Sequence, residues 1–335
     1  MKKTFGQNPA GRRPLLAGIG ALAAASLSLA RPALAQPAWP ARPIRLVVPW
    51  TAGGGVDTIN RRMGQKLSLA LGQAVVIDNR GGATGTIGAN EAAHQAPDGY
   101  TLFAMDNSYA TLPYLFSKLP FDYANSFTPI SISAFAPMFL GVARKSPYRD
   151  LAALIAAAKR EPEKITYGTG GNGSAPHFAT MAFEKAAGIK LFHVPFRGAN
   201  EAVVGVLSGN VDMVMISIGS AAGSLASGDI RPLAICGEKR IAAFPDLPTF
   251  AEAGLPGYDV SSWYGIAAIK GTPEPIIARI HTEMQAALAA PDMKDFLASL
   301  GAVPGGMPPA AFADLLRRET ERWRSIAESG GIERQ

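Results

Sequence analysis

The chain of 335 residues contains one cysteine, Cys236, and four histidines. A lone cysteine excludes an intramolecular disulfide and a cysteine-built zinc site. It lies in the apolar run Pro232-Leu233-Ala234-Ile235-Cys236, which reads as a buried strand. His94, His177, His193 and His281 show no ligand spacing, so no metal is expected. No Gly-Lys-Ser/Thr follows any glycine turn, which excludes a nucleotide-hydrolysing phosphate loop. Gly-x-Ser-x-Gly is missing too, and with it the usual nucleophile turn of a serine hydrolase. Low-complexity tracts and short-period repeats are absent.

Basic charge is scarcer than the formal +6 implies, because Lys2, Lys3, Arg12, Arg13 and Arg31 all precede residue 36 and no acid accompanies them. That head is followed by an apolar stretch from Leu15 to Leu29 and by Ala33-Leu34-Ala35, the pattern of a cleaved export signal. Arg12-Arg13 leaves both the general secretory and the twin-arginine route open. The apolar stretch is short and alanine-rich for a membrane span. With no cysteine at the cleavage point, a lipid anchor is excluded. Removing residues 1–35 takes the charge from +6 to +1, since five basic residues leave, and a nucleic-acid role loses its basic face. The expected location is the periplasm.

What the sequence does have is strand, glycine turn and helix in repeated order. Val47-Val48-Pro49-Trp50 runs into Thr51-Ala52-Gly53-Gly54-Gly55-Val56-Asp57, and Ile59, Met63, Leu67 and Leu71 recur at helical spacing. Glycines let such a turn aim backbone N–H groups outward, and a helix start carries roughly half a positive charge. Together they hold a carboxylate or phosphate without a charged side chain. Ile165-Thr166-Tyr167 feeds a second turn of this kind, Gly168 to His177. Strands and helices alternate along the whole chain, predicting an α/β fold with mostly parallel sheets, and its length suits two lobes. Ligands of open α/β sheets bind where strand C-termini face a crevice, so the two turns are expected to meet across one cleft.

Two other readings of the second turn are weaker. Gly168-x-Gly170-x-x-Gly173 matches the dinucleotide fingerprint, but the next strand ends in His193-Val194-Pro195 where that fingerprint needs an acid. No nucleotide cofactor is expected. Ser174 and His177 offer a nucleophile and a base, whereas a serine at a helix start is usually a cap.

The motifs resemble those of the Bug-type receptors, the extracytoplasmic solute-binding proteins of tripartite tricarboxylate transporters. Carrying the resemblance are Ala41-Arg42-Pro43-Ile44-Arg45-Leu46-Val47-Val48-Pro49, Ala52-Gly53-Gly54-Gly55-x-Asp57, Asn79-Arg80 and Ala96-Pro97-Asp98-Gly99-Tyr100. Gly171-Asn172-Gly173-Ser174 with His177, Val194-Pro195-Phe196-Arg197-Gly198, Leu247-Pro248-Thr249, Ala253-Gly254-Leu255-Pro256-Gly257-Tyr258 and Trp263-Tyr264-Gly265 follow in family order. The resemblance implies a two-lobed periplasmic binding protein of the type II-like, Venus-flytrap kind. Residues 36–135 and 262–335 would form lobe 1 and residues 136–261 lobe 2, with hinges near 132–138 and 258–263. It implies a monomer that is not an enzyme and that passes a small organic carboxylate to membrane transporter subunits. The candidates are a di- or tricarboxylate, an aromatic acid or an amino acid. A ligand-sensing subunit of a membrane signalling system is the alternative, and a secreted hydrolase on Ser174 and His177 a more distant one.

By the same resemblance, Thr51, Ala52, Gly53, Gly54 and Gly55 and the turn of Gly170, Gly171, Asn172, Gly173 and Ser174 hold one carboxylate through backbone N–H groups and waters. The far end of the ligand would meet Trp50, Asp106, Asn107, Ser108, Arg197, Ser217 and Trp263. Trp50 stands where the family usually has phenylalanine, and it either lines the cleft or packs. Asp57 either orders bound waters or an amino group, or caps its own helix. Arg197 either reaches a second carboxylate or is a solvated turn charge. Trp263 is either a stacking surface or hinge core. The segment Ile216-Ser217-Ile218-Gly219 is less polar than is common in relatives, which favours a less polar acid.

Overall fold

The computed structural model of the protein describes residues 39–329 and residue 334. The export segment read at residues 1–35 lies outside them. In chain order the first half contains β1 (Ile44–Val48), α1 (Gly55–Leu71), β2 (Val75–Asn79), α2 (Thr86–Ala93), β3 (Thr101–Asp106), α3 (Leu112–Leu115), β4 (Phe127–Ala143), α4 (Leu151–Arg160), β5 (Thr166–Thr169) and α5 (Ala175–Ala187). The second half contains β6 (Phe192–Pro195), α6 (Ala199–Ser208), β7 (Met213–Ser217), α7 (Ile218–Ala226), β8 (Ile230–Ile235), β9 (Ser261–Ile269), α8 (Glu274–Ala289), α9 (Pro291–Ser299), β10 (Val303–Pro304) and α10 (Pro309–Ser329).

Two sheets follow one plan. The first runs β2-β1-β3-β9-β4 and the second β6-β5-β7-β4-β8. In each, the first three strands are parallel, as the alternation of strand and helix demands. The fourth strand is antiparallel in both. It arrives from the other lobe, entering at the end where the resident strands finish, so it must run against them. The sheets are therefore mixed, with parallel pairing confined to those first three strands.

One strand belongs to both sheets. β4 is 17 residues long, against a usual strand length of about 5–6. Through Pro137 it pairs with β9, and from Met138 onward with β7 and β8. The core is correspondingly shared. One cluster of buried side chains runs from Phe103 and Phe127 under the first sheet to Phe178 and Phe183 under the second. α10 closes it, packing on β4 and on α5, with Trp323 edge-on to Phe178 at 5.5 Å. Two further clusters lie beneath α1, α8 and α9 on one side and beneath α6 and α7 on the other. Cys236, just past β8, is buried, and that burial pushes its thiol up to about 12.

Local signals explain the two helices that matter most. α1 buries Val56, Ile59, Met63, Leu67 and Leu71 on one face, and Gly72 ends it in the left-handed conformation at φ 67°. α5 starts at Ser174 with Pro176 in its first turn and stops at Gly188, φ 63°. Helices α6 and α7 carry mostly Gly, Ala, Ser and Val, without the broad apolar–polar contrast that marks a helix in sequence.

Candidate functional site

The two glycine turns line one cavity at the junction of the sheets, and each is held by side chains of the facing lobe. Asn200 Nδ2 donates to the Ala52 carbonyl at 2.9 Å, and Thr84 Oγ1 to the Asn172 carbonyl at 2.6 Å. Thr111 Oγ1 donates to the Gly173 carbonyl at 2.8 Å. A cavity of about 50 Å³ lies behind this contact, walled by Trp50, Thr51, Gly54, Val56, Asp106, Ser108, Gly170, Ser174, Ala175, Pro176, Ala199, Ile216, Ser217, Ser220, Ser262 and Tyr264. An outer chamber of about 680 Å³ shares Trp50, Thr51 and Gly170 with it and extends to Asn79, Thr84, Phe116, Asn172, Phe196 and Arg197.

Four helix starts converge on the inner cavity: Gly54 and Val56 at α1, Ser174 to Pro176 at α5, Ala199 at α6, and Ser217 with Ser220 at α7. No Lys, Arg or His is among the lining residues. The helix starts cap one another across the cleft. Gly55 N–H of α1 donates to Ser220 Oγ at 3.1 Å, and Ala175 N–H of α5 donates to Ser108 Oγ at 2.9 Å. Tyr264 OH donates to Ser217 Oγ at 2.9 Å, which lies 3.2 Å from Ser220 Oγ. Among the described residues, the N–H groups of Gly54 and Val56 have no protein acceptor.

Asp57 stands behind the first turn. Its carboxylate accepts from Gly53 N–H, Asn79 Nδ2 and Arg61, at 2.9, 2.9 and 2.6 Å. Burial alone would raise its pKa, but these hydrogen bonds outweigh burial and hold it below the usual carboxylate range. Asp57 thus pins the loop, and it does not line either cavity. Gly53, at φ 85°, needs the freedom of glycine for that bend. Asn107 is fully buried and donates to the Ser261 carbonyl at 3.3 Å, tying β3's end to the start of β9.

Of the remaining sequence candidates, Ala52, Gly171, Asn172 and Arg197 reach only the outer chamber. Trp263 is buried edge-on against Phe312 at 5.3 Å, in the core between lobes, and lines neither cavity. Its neighbours Ser262 and Tyr264 take the cavity-facing positions, because alternate residues of a strand point to opposite sides. Tyr264, Ser220, Ser262 and Ala199 were missed in the sequence. Only the Trp263-Tyr264-Gly265 landmark hinted at the first of them.

Ser174 and His177 do not form a nucleophile–base pair. Ser174 Oγ donates to the Gly171 carbonyl at 2.8 Å, while His177 Nδ1 accepts Gly173 N–H at 2.9 Å. His177 stacks on His193 at 3.9 Å between ring centroids, and His193 stacks on Tyr167. Burial, helped by His193, pushes His177 down to about 3, and burial pushes His193 down to about 4. Both folded values lie below the unfolded value near 6.5, so the folded pair stays neutral while the unfolded chain takes up protons below that pH. Stability is therefore expected to fall from pH 6.5 toward 4, by about 1.4 kcal/mol per pH unit for each imidazole. Asp106, raised to about 7 from an unfolded value near 3.8, acts in the opposite sense across that whole window. The comparison that isolates the imidazoles is melting temperature against pH for wild type and His177→Gln/His193→Gln, the variant giving the flatter acid limb. An equally steep variant would remove the pair from the account.

A two-lobed α/β chain whose helix starts converge on a partly open cleft cavity with no basic side chain in its lining has the architecture of a solute-binding protein. The sequence profile of the tripartite tricarboxylate transporter family receptor matches residues 59–332, and the chain belongs to that family. Protein BugT of Bordetella pertussis is 33% identical over 320 residues, covering 95% of this chain and 97% of BugT. An R. palustris protein solved with adipate superposes with a TM-score of 0.85 at 34% identity, covering 89% of this chain and 100% of that one. MatC from Rhodopseudomonas palustris with bound malate gives 0.81 at 31% identity, covering 86% and 99%. The family and these neighbours are solute-binding proteins, not enzymes.

Proposed function

We propose that this protein is a periplasmic receptor that closes its two lobes on one small organic carboxylate and delivers it to the membrane subunits of a tripartite tricarboxylate transporter. One observation carries the reading: four helix starts converge on an inner cavity that has no basic side chain among its lining residues. Each start contributes roughly half a positive charge, and the N–H groups of Gly54 and Val56 are free to receive an oxyanion. The adipate and malate held by two structural neighbours are carboxylates, which supports the same class here.

Closure follows from geometry. A ligand touching both turns favours the closed state over the open one by its differential affinity. The hinges are the stretch of β4 at Pro137 and Met138, where its partners change, and the entry to β9 at Ser261. Residues 39–135 with 262–329 then move against residues 136–261.

The test is a thermal-shift panel of dicarboxylates, tricarboxylates, aromatic acids and amino acids. At one hundred times its Kd, a ligand adds about 2.7 kcal/mol, which for a chain of this size raises the melting temperature by about 5 °C. A panel that leaves melting untouched throughout would contradict the receptor reading.

A further inference from the structure

Asp106 ends β3 inside the cavity and is almost wholly buried. Its Oδ2 accepts from Ser108 Oγ at 3.2 Å, and the Ser108 hydroxyl also receives Ala175 N–H from the opposite lobe. Trp50, from the turn before α1, directs its indole N–H at Asp106 but outside hydrogen-bonding geometry. From β9 come Ser262 and Tyr264, whose hydroxyl is committed to Ser217 and whose pKa is pushed up to about 12 by burial. Tyr264 is thus the other titratable group in the wall, and it is neutral. No cation faces Asp106 among the lining residues. Burial pushes its carboxyl up to about 7, against the pull of Trp50 and Ser108.

A buried carboxylate without a counter-charge is costly, and it repels a second carboxylate brought beside it. The helix starts already accommodate one negative group. What the remaining wall lacks is a positive one. We propose that Asp106 selects the far end of the ligand, so that the receptor takes a small carboxylic acid that also carries a protonated amino group, the ammonium pairing with Asp106. This rests on the carboxylate-receptor reading above and narrows it. The polarity that Ile216-Ser217-Ile218-Gly219 lacks is supplied from β3 in the facing lobe.

The experiment is calorimetry on the purified full-length protein with alanine, 4-aminobutyrate, propionate, butyrate and succinate. At least one amino acid should bind about tenfold or more tighter than both its amino-free partner and succinate at pH 7.5. Asp106→Asn, close in shape, should bring that preference near unity while leaving the unliganded melting curve cooperative. Wild type supplies a second readout that needs no variant. In buffers of differing ionisation enthalpy at pH 7, amino-acid binding should release protons as Asp106 ionises, and affinity should rise from pH 6 to 8. A preference for succinate, proton uptake on binding, or an unchanged preference in Asp106→Asn would each overturn the assignment. If none of the five acids binds but a larger carboxylate without an amino group does, the amino-group assignment fails and the receptor reading stands. If no carboxylate of any kind binds, both fall.

Discussion

Gly54→Asp is expected to abolish carboxylate binding while leaving the protein as stable as before, or slightly more so. Gly54 is the residue that caps α1, in an extended conformation at φ −73° and ψ 169°, and an added Cβ meets only the Thr51 carbonyl at 3.8 Å. An aspartate there fits without strain and is among the best helix caps. Its carboxylate would occupy the N–H groups now free at the start of α1, next to the place where the ligand's own charge must sit. Two like charges about 4 Å apart repel by about 4 kcal/mol at an effective dielectric of 20, on the order of a thousandfold in Kd. Gly54→Asn supplies the same bulk without the charge and should lose far less. Calorimetry against whichever carboxylate the thermal panel selects separates the two variants. Equal affinity in wild type and Gly54→Asp would remove the turn as an anion site.

Gly198→Ala is expected to block closure without touching either lobe. Gly198 precedes α6 in fully extended backbone, φ −172°, which any residue adopts. A Cβ at that position would collide with Thr51 Oγ1 of the facing lobe. The clash exists only when the lobes are together, so the overpacking cost of about 1–3 kcal/mol falls on the closed state alone. Ligand affinity should drop roughly 10- to 100-fold, and small-angle scattering should show a ligand-saturated protein that no longer compacts fully. Thr51→Ala in the same chain removes the obstructing hydroxyl and should restore most of the loss. If Gly198→Ala binds as wild type does, the close approach of Thr51 to α6 has no part in ligand capture.

Much of the site can be read in the sequence because its anchor is main chain. A β-branched run, three glycines and a periodic helix announce the first turn, and Gly168 to Gly173 repeats the arrangement. The side chains around that anchor are harder to read. Every residue of β9 from Ser262 to Ile269 is buried, so polarity does not reveal which face meets the cavity, and Tyr264 is indistinguishable in sequence from Trp263. Ser220 sits within a run of small residues whose helix gives little periodic signal. The double membership of β4 and the antiparallel strand in each sheet are pairings between distant segments, which a local pattern does not encode. Asp106 and Ser108 could be placed at a strand end, but their link to Ala175 needs both lobes in register.

The main-chain character of the inner cavity also bears on how such a receptor changes over generations. A point mutation replaces a side chain and, proline aside, cannot delete a peptide N–H. The N–H donors at the start of α1 therefore persist through most substitutions, and they are lost to a ligand only where a new side chain covers them, as in Gly54→Asp. Substitution at Trp50, Asp106, Ser217 or Tyr264 reshapes the rest of the cavity wall and leaves those donors in place.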